Sequence, residues 1–478
     1  MQVRSRTAHG FEVLLWAVAA AVCFNVAYST TFSFLICGYL ICLIHLGKML
    51  MGRFSFYGGL AVGLLCVAPQ LGFFWDIFGM PAIALWTILA CWTALFVFLI
   101  QQAFSQLGTS RTVLLAPFLW TGLEYFRSEL YPLRFGWLNF GYSLSYAIPH
   151  VPFQLIGVYG MGFVGAFGAA CIVGRRFKWL IAGAVIFLIL SMFIPCSPHP
   201  TSKLQHVQVA GLQAEFPTEV EVLSDLNRVA AQCPDAQLIV LSEYTFDCPV
   251  PIAVRTWCHQ HQKYLIVGGK DPIQGGEYYN TAFVVGPDGE VVFKQAKRMP
   301  IQFFRDGIPA PDQKIWDSPW GKIGICICYD LSYRRVTDQL IRLGAGAIIV
   351  PTMDVQSWGQ KEHELHARIA PVRAAEYGIP ILRVASSGIS QLLAPDGGEV
   401  TAAPFEGSDS IISGEIILTG FPGAIPLDRV LAPLAVLVTG AFMGWLGFSS
   451  MLRKVRHSRH TELCQCNPIQ PPLKRLTL

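Results

Sequence analysis

Hydrophobic and polar positions divide the chain into three textures. From the N-terminus to about residue 196, long uncharged apolar runs follow one another near 11–28, 31–51, 55–75, 80–101, 112–127, 151–173 and 177–195, and an eighth lies near 427–451. Runs of this length suit helices crossing a hydrocarbon layer about 30 Å thick. Between them the texture changes. Short β-like runs cover Val207 to Leu212, Leu238 to Leu241, Tyr264 to Gly268, Ala282 to Val285, Ile323 to Ile327, Ala347 to Val350, Ile381 to Ala385 and Ile411 to Ile417. Helical periodicity separates others, notably over Thr218 to Ala231, Val336 to Leu343 and Lys361 to Tyr377. The pattern predicts an α/β domain with its sheet covered by helices. The expected organisation is a seven-helix transmembrane bundle over 1–199, an α/β domain over 200–426, one C-terminal transmembrane helix over 427–452 and a basic tail over 453–478.

Composition supports the membrane assignment, because 53% hydrophobic and 14% charged residues is too apolar for a soluble chain of 478 residues. The net charge of +4 is small and sits mostly in short loops and the tail, so it speaks for topology and against nucleic acid as a partner. Arg4 and Arg6 precede the first run, Lys48 and Arg53 flank the second connection, Arg111 lies in the fourth, and Arg175, Arg176 and Lys178 fill the sixth. The first and third connections carry no Lys or Arg. The positive-inside rule then places the N-terminus in the cytoplasm and residues 200–426 outside, and Arg453, Lys454, Arg456 and Arg459 return with the tail. A second span follows the first so closely that the first reads as a retained helix rather than a signal peptide.

The fifth connection departs from this charge pattern. Glu124, Arg127, Glu129 and Arg134 stand there among Trp120, Tyr125, Tyr131, Trp137 and Tyr142. Two readings stay open: aromatic and arginine anchoring at the interface, or a vestibule for a lipid headgroup or substrate.

Most cysteines need no chemistry. Cys23, Cys37, Cys42, Cys66, Cys91 and Cys171 lie in apolar runs, where a thiol behaves as a small hydrophobe. Cys196, Cys233, Cys248 and Cys258 show no metal-ligand spacing, and a disulfide among them stays open. Cys464-Gln465-Cys466 reads as an incidental pair more readily than as a metal or lipid site. Cys328 is different, because the strand-like stretch from Gly321 ends in Cys328-Tyr329-Asp330. A thiol at a strand end needs a base to take its proton and a cation or donor to hold an oxyanion. Glu243, closing Leu238 to Ser242, suits the base. Lys297 or Lys294, beyond the Asp288-Gly289 turn, suits the cation. Glu362-His363-Glu364-Leu365-His366 lacks the two-histidine i, i+4 spacing of zinc proteases, so a helix-surface or supporting role outweighs a metal site. Cys326 reads as an inert core thiol and Trp358 as a packing residue near the pocket.

Glu243, Lys297 and Cys328, in that order and each beside a predicted strand, resemble the Glu-Lys-Cys triad of the nitrilase (carbon–nitrogen hydrolase) superfamily. The likeness extends to Tyr278-Tyr279-Asn280-Thr281, Asp354 to Gly359, Arg373 to Pro380, Arg383 and Ser387-Gly388-Ile389-Ser390. With Pro117, Trp120, Glu124, Arg127, Gly136-Trp137 and Gly141-Tyr142-Ser143 added, the whole chain resembles the apolipoprotein N-acyltransferase family, the membrane branch of that superfamily. Ser242 stands where the family usually has proline, Asp330 where it has glutamate, and Asp306 is the only counterpart offered for a second glutamate.

The resemblance implies a nitrilase-like αββα sandwich, a bacterial inner-membrane location and no cofactor or metal. It also implies acyl transfer from a phospholipid, through a Cys328 thioester, to the N-terminal amine of a diacylglyceryl-cysteine lipoprotein. Tyr329, Asp330, Asp306, Trp358, Trp120, Glu124 and Arg127 are then expected to bind substrate or support the site. Aromatic loops at Phe303-Phe304 and Phe421-Pro422 are expected to form a lid toward lipid. Two rival readings remain: a membrane-anchored carbon–nitrogen hydrolase (amidase or nitrilase) acting on a small substrate, and a scaffold that keeps the fold without catalysis.

Overall fold

A computed structural model describes residues 6–148, 151–192, 204–407, 409–418 and 423–465. Its N-terminal part is helical, with α1 (Arg6–Ser29), α2 (Leu35–Met49), α3 (Arg53–Gln70), α4 (Phe73–Phe78), α5 (Pro81–Tyr125), α6 (Phe140–Ser143), α7 (Phe153–Val173) and α8 (Phe177–Met192). Among the described residues four helical stretches are long and apolar enough to cross a membrane: His9–Ser29, Pro81–Leu130, Phe153–Val173 and Asp428–Arg453. The α2 helix and Phe177–Ile189 are apolar but shorter. The runs expected near 80–101 and 112–127 both fall within α5, which folds back on itself at Gly108 (φ 74°, ψ 174°). A positive φ with extended ψ suits glycine alone, and it lets Trp120 pack against Phe96 with ring centroids 5.1 Å apart. The run expected over 55–75 stops early, at Gln70, and α4 begins separately.

The lysines and arginines of the short connections gather at one end of this bundle. Lys48 Nζ donates to the Val173 carbonyl (3.3 Å), and Arg176 donates to Ser110 Oγ (2.6 Å). At the opposite end, the C-terminus of α1 meets the α/β domain, where Lys361 Nζ donates to Ser29 Oγ (3.0 Å).

Among the described residues the α/β domain contains two six-stranded sheets. One runs β12 (Ile411–Leu418), β1 (Gln205–Leu212), β2 (Leu238–Val240), β3 (Tyr264–Pro272), β4 (Tyr278–Val285), β5 (Val291–Ala296). The other runs β11 (Glu399–Ala403), β10 (Ser390–Leu393), β9 (Ile381–Ala385), β8 (Ala347–Thr352), β7 (Gly321–Ile325), β6 (Ile315–Ser318). In the first sheet, alternate residues serve different layers. Val207, Val209, Leu238, Val240, Ile266, Ala282 and Val284 join the core shared with the second sheet. Their neighbours Ala210, Leu212, Ile239, Leu241, Leu265 and Phe283 pack beneath α9 (Glu219–Gln232) and α10 (Ile252–His261). That period of two builds two apolar faces on one sheet. On the second sheet lie α11 (Arg334–Arg342), α12 (Gln360–Ala367) and α13 (Ile369–Tyr377), completing an αββα sandwich. The helix expected over Lys361 to Tyr377 is therefore two, divided near Arg368.

The chain then enters α14 (Asp428–Gln465), whose first turn clasps the sandwich. Arg429 pairs with Asp338 (2.8 Å), Glu376 (2.8 Å) and Asp428 (2.6 Å). Asp428 and Glu376 also accept the backbone N–H groups of Tyr159 (3.0 Å) and Val158 (3.1 Å), at the N-terminus of the straight part of α7. Free N–H groups at a helix start favour carboxylates, so one acidic pair joins α7, α14 and the sandwich.

Candidate active site

Four chain segments converge at the C-terminal ends of β2 and β8 and just beyond β5 and β7. Ser242 and Glu243 follow β2, where Ser242 Oγ donates to the Ala214 carbonyl (2.9 Å) and Thr245 Oγ1 to the Ser242 carbonyl (2.8 Å). The adjoining strand accommodates this turn by being glycine at 268, since a Cβ there would stand 2.5 Å from the Glu243 Cα. Lys297 follows β5, and its N–H donates to the Asn280 carbonyl (2.7 Å). Its ammonium is fully buried between Glu243 Oε1 (2.8 Å) and Asp306 Oδ2 (2.7 Å). Lys294, the other candidate, instead pairs with Asp271 at the surface (3.0 Å).

Asp306 is thereby a full member of the cluster. It also accepts from Tyr244 Oη (2.9 Å), Asn280 Nδ2 (2.8 Å) and the Ile301 N–H (2.7 Å). Asn280 Nδ2 reaches Glu243 Oε1 as well, at 2.5 Å. Every partner of the two carboxylates named here is a donor.

Cys328 stands outside its strand. β7 ends at Ile325, and Cys328 opens a short 3₁₀ turn (Cys328–Ser332) with φ +51°. A left-handed backbone at a residue with a Cβ is strained, and such strain concentrates at functional turns. Asp330 holds the turn by accepting the N–H groups of Ile327 (3.1 Å), Met299 (2.7 Å) and Arg298 (3.1 Å), which binds the cysteine segment to the lysine segment. Met353, just beyond β8, joins acid to thiol: its N–H donates to Glu243 Oε2 (2.9 Å) and its carbonyl lies 3.8 Å from Cys328 Sγ.

Burial is the largest single influence on these groups, and neighbouring charges together can outweigh it. It pushes the Glu243 carboxyl above the usual glutamate range, against the pull of Lys297. Burial also works against the charge on Lys297, but Asp306 and Glu243 outweigh it and hold the ammonium protonated. The Cys328 thiol is raised well above its ordinary value by burial and then by the Glu243 charge, so it rests protonated and needs a base. Asp330 is pushed up to about 6 by burial, against Lys297 and the three N–H donors.

Beyond the thiol lies a second buried group. Asp354 accepts from His366 Nδ1 (2.7 Å) and pairs with Arg383. Although burial raises its carboxyl, Arg383 and His366 hold it well below the usual carboxylate range. Burial lowers His366, which is neutral at pH 7. Cys328, Asp354 and His366 can bring ligand atoms within 4.8 Å of one another, as a metal site would require. Both Asp354 oxygens are already engaged, one of them by a guanidinium, so the cluster reads as a hydrogen-bond chain rather than a metal centre.

An apolar cleft opens onto Cys328. The bundle supplies Phe73, Phe74, Ile77, Phe78, Leu85 and Leu89; the sandwich supplies Ile301, Phe303, Phe304, Tyr329, Trp358 and His366. Phe303 and Phe304 pack edgewise on Phe78 (6.1 and 5.8 Å), and Trp358 lies against Phe304 (5.9 Å). Phe421 and Pro422 lie outside the described residues. Tyr329 donates to the Arg134 carbonyl (3.1 Å) at the cleft wall.

Trp120, Glu124 and Arg127 are not among the residues lining the cleft; they stand behind it. Glu124 accepts the Phe140 N–H (2.6 Å), and Arg127 donates to Asn139 Oδ1 (2.6 Å). They brace the segment carrying Trp137, whose ring stacks on His366 (4.7 Å) and whose indole N–H donates to Ser332 (3.1 Å). Cys233, Cys248 and Cys258 are free thiols, Cys196 lies outside the described residues, and Cys326 is fully buried.

Residues 206–420 match the carbon-nitrogen hydrolase family, and residues 14–171 match the apolipoprotein N-acyltransferase N-terminal domain. The chain is 24% identical over 439 residues to the apolipoprotein N-acyltransferase of Shewanella oneidensis, across 77% of this chain and 82% of that one. It is 26% identical over 345 residues to that of Ralstonia nicotianae, across 63% and 65%. The chain belongs to the apolipoprotein N-acyltransferase family. An omega-amidase of Xenopus laevis is also similar, at 25% over 175 residues, but across only 32% of this chain and 62% of that one. Matches to both the helical and the sandwich halves separate this family from amidases that share the sandwich alone.

Asn280, Met353, Asp354 and Arg383 are the site residues that sequence reasoning left without a role, and His366 was read only as lying on a helix surface or supporting the site. Asn280, Asp354 and Arg383 do lie in segments that carried the family resemblance, and that was the available signal. Met353 acts through its backbone, for which a side-chain motif carries none.

Proposed function

We propose that this chain is an N-acyltransferase that moves a fatty acyl group from a phospholipid to the α-amino group of a diacylglyceryl-cysteine lipoprotein. Cys328 Sγ attacks the acyl ester while Glu243 takes the thiol proton, and the Lys297 ammonium balances the developing oxyanion. Collapse expels the lysophospholipid alkoxide, which takes the proton from Glu243, and leaves a thioester on Cys328. The acceptor amine then attacks that carbonyl, and the thiolate leaves. The observation that carries this reading is the apolar cleft: a wall of bundle phenylalanines facing a buried thiol suits an acyl chain, whereas a small polar amide has no use for it.

A bacterial inner-membrane setting with eight crossings accords with the same geometry. The connections rich in Lys and Arg gather at the end of the bundle away from the sandwich, which is the cytoplasmic end by the positive-inside rule. Residues 200–426 then stand on the outer face, between a seven-crossing bundle over 1–199 and a last crossing over 427–452, with 453–478 as the cytoplasmic tail.

Incubation with radiolabelled phospholipid in bilayers, followed by intact mass, tests the reading. The expected result is a hydroxylamine-sensitive acyl adduct on Cys328 that transfers to a diacylglyceryl-cysteine peptide and is absent in Cys328→Ser. An adduct that only hydrolyses to free acid in the presence of that peptide would support the amidase reading instead.

A further inference from the structure

The proposed transfer leaves one proton without an acceptor. An α-amino group has a pKa of about 8, so most of it reaches a site at pH 7 as ammonium. Glu243 can carry the thiol proton to the departing alkoxide, and later an amine proton to Sγ, but the reaction of an ester with an ammonium ion yields amide, alcohol and one further proton. Resting on the acyl-transfer reading, we infer that His366 is a second general base, which takes that proton from the acceptor amine in the second half-reaction.

The geometry supports this assignment. Asp354 is an ionised acceptor, so Nδ1 of His366 carries the hydrogen of their 2.7 Å bond and Nε2 keeps the lone pair. Nε2 makes no hydrogen bond among the described residues, while Arg383 fixes the other Asp354 oxygen. Trp137 lies parallel to the ring, at 4.7 Å and 15°, and holds its plane. His366 lines the same cleft as Cys328. The charged or titratable groups facing it are Asp354, Arg383, Lys297 and Cys328, with Glu362 on its own helix at 3.9 Å.

Nε2 takes one proton from the ammonium, and the freed nitrogen lone pair forms the N–C bond to the thioester carbonyl. A second N–H proton passes to Glu243 and on to Sγ as the C–S bond breaks, and His366 returns its proton to water.

His366→Asn keeps a donor for Asp354 and lacks the base; His366→Gln is read beside it as a second variant. Each is loaded from labelled phospholipid, then mixed with a diacylglyceryl-cysteine peptide in single-turnover experiments at several pH values. Expected is transfer slowed about 100-fold more than loading at pH 7, with loading still reaching completion on Cys328, which reports folding. That deficit should shrink about tenfold by pH 9, where the amine is already neutral. Loading that falls in parallel with transfer in both variants, a deficit independent of pH, or unchanged transfer would each overturn the assignment. An unsubstituted chain that forms no adduct on Cys328 overturns the acyl-transfer reading itself, and this inference with it.

Discussion

Asp306→Asn is the most informative single change at this site. The carboxylate accepts from four donors, Lys297 Nζ and the Ile301 N–H on Oδ2, Asn280 Nδ2 and Tyr244 Oη on Oδ1. An amide of the same shape has one accepting oxygen and places N–H₂ where the other oxygen was, so two donors lose their acceptor in either orientation. Hydrogen bonds to a charged group contribute about 1.5–3 kcal/mol each, and breaking a buried ion pair costs about 3–5 kcal/mol. A stability loss of about 3–5 kcal/mol is therefore expected, read as a lower melting temperature in detergent. If 2–3 kcal/mol of this is also lost from the transition state, through a Lys297 drawn toward Glu243, acyl-enzyme formation slows roughly 30- to 150-fold. Rapid-quench loading with labelled phospholipid measures it. An Asp306→Asn chain that melts and loads like the unsubstituted one would refute the argument that Asp306 sets the position and charge of Lys297.

Other outcomes follow from neighbouring features. In the proposed mechanism loading requires Glu243 ionised, and burial holds its carboxyl above the usual value, so the rate should rise with pH through a midpoint above about 4.5. Alkylation of Cys328 by iodoacetamide should keep rising beyond pH 9, because the thiol is raised rather than lowered; a plateau near pH 6 would contradict that. Gly268→Ala places a Cβ 2.5 Å from the Glu243 Cα and 2.7 Å from the Ser242 carbonyl, so about 1–3 kcal/mol of stability and most of the loading rate should be lost. Arg429→Met leaves Asp338, Glu376 and Asp428 short of a buried cation, and a loss of about 3–5 kcal/mol is expected in thermal melting. Phe74→Trp in the cleft wall should favour shorter acyl chains, read by competition between phospholipids of different chain length.

Much of the sandwich was legible because its central strands are buried on both faces and read as continuous apolar runs. The strands that escaped notice, β5, β6, β10 and β11, lie toward the far edges of the two sheets, and residues such as Lys294, Asp317 and Glu399 interrupt their apolar pattern. Among the site residues, the position of Cys328 before Tyr329-Asp330 was visible, but its left-handed backbone was not, since nothing in Ile327-Cys328-Tyr329 demands it. Asp306 was visible only through resemblance. Its convergence with Lys297 depends on how the loop from Arg298 to Arg305 folds back. The role of His366 was hidden by a different route. Its sequence neighbours Glu362 and His363 suggested a metal motif, whereas its working partner, Asp354, comes from a different segment, just beyond β8. Glu124 and Arg127 stood out as charges at membrane depth, yet their direction is set by Asn139 and Phe140, distant in pattern though near in number.

The cleft has one wall from each half of the chain, and that has a consequence for how such an enzyme changes over time. Under the proposed acyl transfer neither half owns the specificity: a substitution on α4 would alter which tails fit without touching Cys328, and a graft of the sandwich onto another anchor would carry that thiol but not its ruler.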